Sequence, residues 1–225
     1  MHANFLDFDL IIFDCDGTLV DSTPVFYPAL AEYLHDLGFP GYSGEQAERE
    51  FFALAVVDIY KILQSRKPLN LSVSDFIEDV GARYRRAMSG KVIAAPGIEN
   101  LLSCIQDNGV TMRVASNGEI ANIHAVLQCV GLKRYFADSA LFSAEQVVNP
   151  KPAPDLYQLA SAGFEDKKIL AVEDSVMGIR SAKAAGLKVW GYTGFASNAV
   201  KAAQDLSAAG ADYIIADFNL YNIAA

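Results

Sequence analysis

The chain has 225 residues, is 52% hydrophobic and carries a formal net charge of −9. This composition excludes a disordered chain and suffices for one substantial α/β core with a smaller appended unit. The negative field repels nucleic acid and anionic membranes, and it repels phosphorylated molecules too, so a phosphate site would need cations of its own. The longest notable apolar run, residues 51–57, is far short of the ~18 residues of a membrane span. The N-terminus opens with Asp7 and Asp9 and has no basic region ahead of an apolar core, so it does not resemble a secretory signal. Cys15, Cys104 and Cys129 are odd in number and lack paired spacing, which argues against a disulfide framework and a zinc site. A soluble, cytoplasmic protein with reduced thiols is expected; its oligomeric state is left open, and a monomer is compatible.

The first strand is expected at residues 10–13, where Ile11-Ile12-Phe13 leads into Asp14-Cys15-Asp16-Gly17-Thr18. A strand that stops there holds Asp14 rigidly, and the break at Gly17 lets Asp16 swing over it. Cys15 is expected to be a small buried side chain pointing away. Residues 23–91 differ in texture and show no strand pattern. Phe26, Leu30, Leu34 and Leu37 form one helical stripe before Gly38, and Phe76, Val80, Tyr84 and Ala87 form another before Gly90. They read as a helical cap inserted between core strands, with hinges near residues 21–24 and 90–97. Further strands are expected at 112–115, 169–172, 188–192 and 213–215. Helices alternate with them: Ile98 to Ile105 and Ile120 to Val130 show helical spacing, and 154–162, 176–185 and 198–209 each end at a glycine. That alternation indicates a parallel sheet with helices on both faces.

In an open parallel sheet, ligands bind at the carboxyl ends of the strands, where residues distant in sequence converge. Asp14 and Asp16 suit covalent chemistry, one attacking an electrophile while the other moves protons. Ser116-Asn117-Gly118 follows the second strand and offers a hydroxyl, an amide and backbone N–H groups to phosphoryl oxygens, although alone it reads as a helix cap. Lys151 precedes Pro152 and Pro154 and is presented from a stiff loop, where it could screen Asp14 from an anion. Glu173 and Asp174 follow the third strand and, joined to Asp14, make a hard oxygen cluster suited to Mg²⁺; alone they too read as helix capping. Each cluster is weak by itself, but their order along the chain matches the order of the strand ends.

With these elements on the page, the chain resembles the haloacid dehalogenase-like hydrolase superfamily, in its branch of helical-cap phosphatases and β-phosphoglucomutase-like enzymes. The Asp-x-Asp-Gly-Thr, Ser-Asn, Lys-Pro and Glu-Asp-Ser elements appear in family order. The resemblance implies an α/β fold, a Rossmann-like parallel sheet core of residues 1–21 and 93–225 with an inserted α-helical cap of residues 22–92. It implies Asp14 as the nucleophile that forms an aspartyl-phosphate and Asp16 as the general acid/base. Ser116, Asn117 and Lys151 are implied as the phosphoryl-binding groups, with Lys151 also steadying the nucleophile. Asp14, the Asp16 carbonyl, Asp174 and Glu173 are implied around Mg²⁺, with Glu173 direct or through water. The expected reaction is hydrolysis of a small phosphorylated metabolite such as a sugar phosphate. A phosphotransferase of the β-phosphoglucomutase type and a non-catalytic phospho-ligand-binding module are the alternatives. Dehalogenation is disfavoured, because dehalogenase members lack an acid/base aspartate at the place of Asp16.

Some positions depart from the pattern. Phe26 stands twelve residues after Asp14, where mutase-like members carry a cap histidine, and the mutase's cap arginine would fall near Ala55. Asn149-Pro150 precedes Lys151 where relatives often have glycine. The apolar residues 51–57 are expected to be cap core rather than a leaving-group pocket. Arg49, Lys61, Arg66 and Lys67 are expected on solvated surface.

Overall fold

The computed structural model describes residues 4–88 and 90–221; the outer ends of the two core segments, 1–3 and 222–225, and residue 89 lie outside the described residues. Six parallel strands form one sheet: β1 (Leu10–Phe13), β4 (Thr111–Ser116), β5 (Leu141–Ser143), β6 (Ile169–Glu173), β7 (Lys188–Tyr192) and β8 (Tyr213–Ile215), in the order β5-β4-β1-β6-β7-β8. The chain builds outward from β1 to β4 and β5, then returns to the other side of β1 for β6, β7 and β8. The strand order thus reverses beside β1, where a crevice opens outside the carboxyl ends of the strands.

β1 is buried on both faces and shows the period of two in its packing. Ile11 and Phe13 enter one apolar cluster, with α5 (Ile98–Asp107) and α6 (Ile120–Cys129), while Leu10 and Ile12 enter another, with α7 (Asp155–Ser161), α8 (Val176–Ala184) and α9 (Ala199–Ala209). Helices therefore cover both faces. The five expected strands are present, and β4 and β6 run one residue further than expected, so Ser116 and Glu173 are the last residues of strands rather than of loops. β5 was not expected. It is a three-residue edge strand between two short 3-10 turns, too brief to show periodicity.

Between β1 and β4 lie α1 (Thr23–Asp36), α2 (Gly44–Phe51), α3 (Val56–Arg66) and α4 (Val73–Ala87), packed around an apolar cluster of their own that includes Leu30, Leu34, Phe51, Ile59, Leu63, Phe76 and Val80. The two expected stripes lie on α1, with Leu37 at its C-cap, and on α4; α2 and α3 were not separated by the sequence pattern. In α2 only Ala47 and Phe51 are buried, one turn apart, and the rest is polar. The helix starts at a capping box in which Ser43 and Gln46 satisfy each other's backbone N–H. The chain leaves and re-enters the sheet through β2 (Val20–Asp21) and β3 (Ile93–Ala94), which pair antiparallel and tie the two crossings together. Among the described residues, no helix is long and apolar enough to cross a membrane.

α4 also packs on α6 of the core. Arg85 Nη1 donates to Asn122 Oδ1 at 2.6 Å and lies 3.8 Å from Glu119, the N-cap residue of α6. Among the described residues, Glu119 Oε1 is buried without a hydrogen-bond partner. Burial first, and then the charge of Glu145, push the Glu119 carboxyl up to about 7; Arg85 opposes the shift and Glu78 adds to it. A carboxyl raised on folding binds its proton more tightly in the native state. Its contribution is fully present below the ordinary glutamate range and is lost as pH rises through about 7.

Two outcomes follow for stability. Phe5 is fully buried, edge-on to Trp190 at 4.7 Å and within 6.5 Å of Phe13 and Phe218, so Phe5→Ala should cost about 3–5 kcal/mol in chemical denaturation. Glu119→Gln should melt above the native chain at pH 8, and the gap should narrow as pH falls toward 5; melting curves of the two proteins at both pH values check it.

Candidate active site

Three adjacent strands, β4, β1 and β6, end at one place. The Asp14 backbone N–H donates to the Val172 carbonyl at 2.9 Å, so the residue stays registered to β6 just past the end of β1. The chain then turns at Gly17, whose φ of 94° is open to glycine and strained for other residues. Here the Gly17 N–H donates to the Val20 carbonyl at 2.7 Å, and a Cβ would collide with the Asp174 carboxylate. Gly178 in α8 has the same use on the other side, since a Cβ there would collide with the Glu173 carboxylate. Both glycines let backbone approach carboxylates that no larger residue would admit.

Lys151 holds the centre. Its side chain is 4% exposed, and Nζ donates to Asp14 Oδ1 at 2.7 Å, to Glu173 Oε1 at 2.5 Å and to the Ala115 carbonyl at 2.8 Å. All three ammonium protons thus have acceptors, and the Tyr157 ring lies 5.0 Å beneath. Burial works against this charge, yet the carboxylates of Asp14 and Glu173 outweigh it and hold the Lys151 pKa up. Glu173 is fully buried and also accepts from Tyr157 Oη at 2.7 Å and Ser175 Oγ at 3.3 Å. Ser175 is the residue of the Glu-Asp-Ser triplet that caps a helix, accepting from the Gly178 N–H of α8.

Asp16 faces a different set of partners. Its carboxylate accepts from Ser116 Oγ at 3.4 Å and from Tyr84 Oη of α4 at 3.5 Å, with Ser22 bonded beside it. Burial pushes the Asp16 carboxyl up, against the hydrogen bonds from Ser22, Ser116 and Tyr84. Asn117 caps no helix. Its Oδ1 accepts from the Lys151 backbone N–H at 3.0 Å, while Nδ2 donates to the carbonyls of Lys151 and of Ala53, both at 3.3 Å. Ala53 lies between α2 and α3 with a left-handed φ of 61°, unusual for a residue with a Cβ.

The acidic end of the site fits a hard divalent cation. One oxygen each from Asp14, Glu173 and Asp174 lie within 4.8 Å of one another, and three carboxylates there meet one ammonium. Burial pushes the Asp14 carboxyl up, with Lys151 opposing and Glu173 adding to it; Asp174 is pushed up by burial and by the charges of Asp14 and Glu173. Carboxylates that repel one another in this way need a further positive charge to stay ionised together.

All seven residues singled out from the sequence are at this place, and six of them, Asp14, Asp16, Ser116, Asn117, Lys151 and Asp174, line one cavity of about 100 Å³. Glu173 stands behind them with both oxygens engaged. The opposite wall comes from the helices: Phe26 and Tyr27 of α1, Tyr84 of α4, and Phe52, Ala53, Leu54 and Val56 between and within α2 and α3. The expectation for residues 51–57 is corrected in part. Phe51 and Val56 belong to the cap's apolar cluster and Ala55 is buried, but Phe52, Ala53, Leu54 and Val56 also line the cavity, where the left-handed turn at Ala53 interrupts the helical period. Tyr84 sits on the expected apolar stripe with Phe76, Val80 and Ala87, where its ring satisfies the period and its hydroxyl goes unmarked; a hydroxyl-bearing residue on that stripe is the one signal for it in the sequence. Lys61, Arg66 and Lys67 pair with Asp58, with Glu50 and Tyr42, and with the end of α1, on the outer surface of the helices.

Residues 11–192 match the family described as haloacid dehalogenase-like hydrolase. The chain is 28% identical over 195 residues to Protein CbbY of Cereibacter sphaeroides, covering 83% of this chain and 85% of that one. It is 26% identical over 182 residues to the phosphorylated carbohydrates phosphatase of Thermotoga maritima, covering 80% and 82%. A crystal structure of a CbbY mutant from Rhodobacter sphaeroides in complex with xylulose-1,5-bisphosphate has a TM-score of 0.78 at 26% identity, over 94% of this chain and 95% of that one. The family match runs from the strand that presents Asp14 to the last residue of β7, and on that span the chain belongs to the haloacid dehalogenase-like hydrolases, as an enzyme of that family.

Proposed function

We propose that this enzyme is an Mg²⁺-dependent phosphoric monoester hydrolase that acts on a small phosphorylated metabolite through an aspartyl-phosphate on Asp14. The observation that carries this reading is the pair of carboxylates across one cavity: Asp14 held at 2.7 Å by a buried ammonium, and Asp16 on hydroxyl partners with its pKa raised. A carboxylate fixed by a cation on one oxygen keeps the other free to attack. Relatives named for phosphorylated carbohydrates support the choice of phosphate esters as substrates.

In the first half-reaction an Asp14 oxygen forms a bond to phosphorus, the ester P–O bond breaks, and Asp16 gives its proton to the departing alkoxide. In the second, Asp16 takes a proton from water, the water oxygen bonds to phosphorus, and the bond to Asp14 breaks, which restores the Asp14 carboxylate and the protonated Asp16. The raised pKa of Asp16 suits a group that must start protonated. Lys151 spends its protons on Asp14, Glu173 and Ala115, so it acts by its charge, lowering the repulsion between carboxylate and phosphate. Ser116 offers its hydroxyl to a phosphoryl oxygen, and Asn117 holds the Lys151 loop. Asp14, Asp174 and the Asp16 carbonyl would hold Mg²⁺, with Glu173 in support; when bound, the ion neutralises charge on the phosphate and carboxylate oxygens. Residues 22–92 serve as a cap that excludes bulk water. Uncatalysed phosphate-monoester hydrolysis is slow enough that such enzymes reach accelerations of ~10²¹, most of it from positioning and charge. Phe26 lines the cavity where a mutase-like enzyme carries histidine and offers no proton-carrying group, which favours hydrolysis over phosphotransfer.

Asp14→Asn should release no phosphate from any substrate, and full activity in that variant would overturn the mechanism. Asp16→Asn should slow turnover by about 10²–10⁴-fold and leave a phosphorylated chain visible by intact mass. EDTA should abolish phosphate release by the native enzyme, and Mg²⁺ should raise its melting temperature while leaving Asp174→Asn nearly unmoved.

A further inference from the structure

We propose, resting on the phosphatase reading above, that the substrate's leaving group is a small, uncharged and mainly apolar alcohol. The cavity above Asp14 measures about 100 Å³, well under the ~300–1,000 Å³ of sites that enclose a drug-sized ligand. Away from the carboxylates its wall is mainly apolar, with Phe26, Tyr27, Phe52, Leu54, Val56 and Tyr84, and Thr23 and Asn122 as its polar side chains. Lys151 is the one cation on that wall among the described residues, and its protons are committed at the Asp14 end. Arg85 approaches the rim only through Asn122 and is held there by that amide and Glu119.

The polar groups on the wall are largely engaged as well. Tyr27 is hydrogen-bonded to the Ala53 backbone, Tyr84 to Asp16, and Asn117 to Ala53 and Lys151. A polyol would find few partners beyond Thr23 and Asn122 and would bury its other hydroxyls against aromatic faces, and a carboxylate or second phosphate would lose its water with no cation in return. The adjoining cleft of about 630 Å³ offers no relief. It shares Thr23, Phe52, Ala53, Asp174 and Ser175 with the cavity and adds Asp21, Glu48 and Asp205 against one ammonium, Lys201, which is already paired with Asp205 at 2.7 Å. Its field repels a second anion.

The test is phosphate release by the Mg²⁺-loaded enzyme from isobutyl phosphate, glycerol 3-phosphate, 2-phosphoglycolate and a pentulose bisphosphate, with acetyl phosphate, whose acetate departs without a proton from Asp16, as the reporter of attack by Asp14, and Asp14→Asn as blank. The expected order of kcat/KM places isobutyl phosphate first, glycerol 3-phosphate at least about tenfold lower, and the two anionic-tailed esters about 100-fold lower or more. Phe52→Arg, at a residue 45% exposed and so free of the core, should raise kcat/KM for 2-phosphoglycolate at least tenfold and lower it for isobutyl phosphate. If 2-phosphoglycolate, the bisphosphate or glycerol 3-phosphate leads, the leaving-group assignment is overturned while hydrolysis through Asp14 stands. If acetyl phosphate and every ester stay intact, or are cleaved equally by Asp14→Asn, the phosphatase reading itself fails and takes the assignment with it.

Discussion

The buried ammonium of Lys151 is the constraint on which the site rests. Three strands bring carboxylates or carbonyls to one point, and without a positive charge among them the buried carboxylates of Asp14 and Glu173 would face one another with no partner to offset their repulsion. The lysine touches all three strand ends, through Asp14 after β1, Ala115 on β4 and Glu173 on β6. Its position therefore depends on the strand order: β4 and β6 must both flank β1, which the reversal of the chain beside β1 provides. Removing one member of such a buried array leaves the others as uncompensated charges, so packing, electrostatics and topology are bound to each other here.

Around this centre the molecule separates two kinds of surface. The floor, made by the sheet, is charged and hydrogen-bonded through every member. The roof, made by α1, α4 and the α2–α3 turn, is aromatic and aliphatic and reaches the floor at few polar points, Tyr84 to Asp16 and Ala53 to Asn117 among them. On the proposed reading, chemistry common to phosphate esters falls to the floor, and recognition of what the phosphate is attached to falls to the roof. A chain with net charge −9 can still present an anion site because its local cation is concentrated where water is excluded, while the surface repels anions in general.

Much of the floor was legible in the sequence because its residues follow strands whose apolar runs are strong and regular. Ile11-Ile12-Phe13 ahead of Asp14, and the run ahead of Glu173, put the carboxylates at strand ends on sequence pattern alone. The depth of Lys151 was less legible, since a lysine beside two prolines reads as solvated and only tertiary packing takes it to 3% exposure. The roof was harder still. Residues 51–57 form an unbroken apolar run, and a run without polar punctuation does not show where the backbone turns; the left-handed conformation at Ala53 splits it between core and cavity. β5 escaped notice because three residues carry no period, and Tyr84 because its hydroxyl rides on a helical stripe that its ring alone would satisfy.

Asn117 gives the two halves an unequal connection. One amide holds the Lys151 loop by two hydrogen bonds, to its N–H and its carbonyl, and reaches the α2–α3 turn by one, at 3.3 Å to Ala53. Moving that turn away from the sheet breaks the single bond on the roof side and leaves the double bond on the floor side intact. The charged array is thereby anchored independently of that turn: Lys151 reaches Asp14, Ala115 and Glu173 without passing through Ala53, so the position of the turn and the geometry of the buried ions are set by separate contacts.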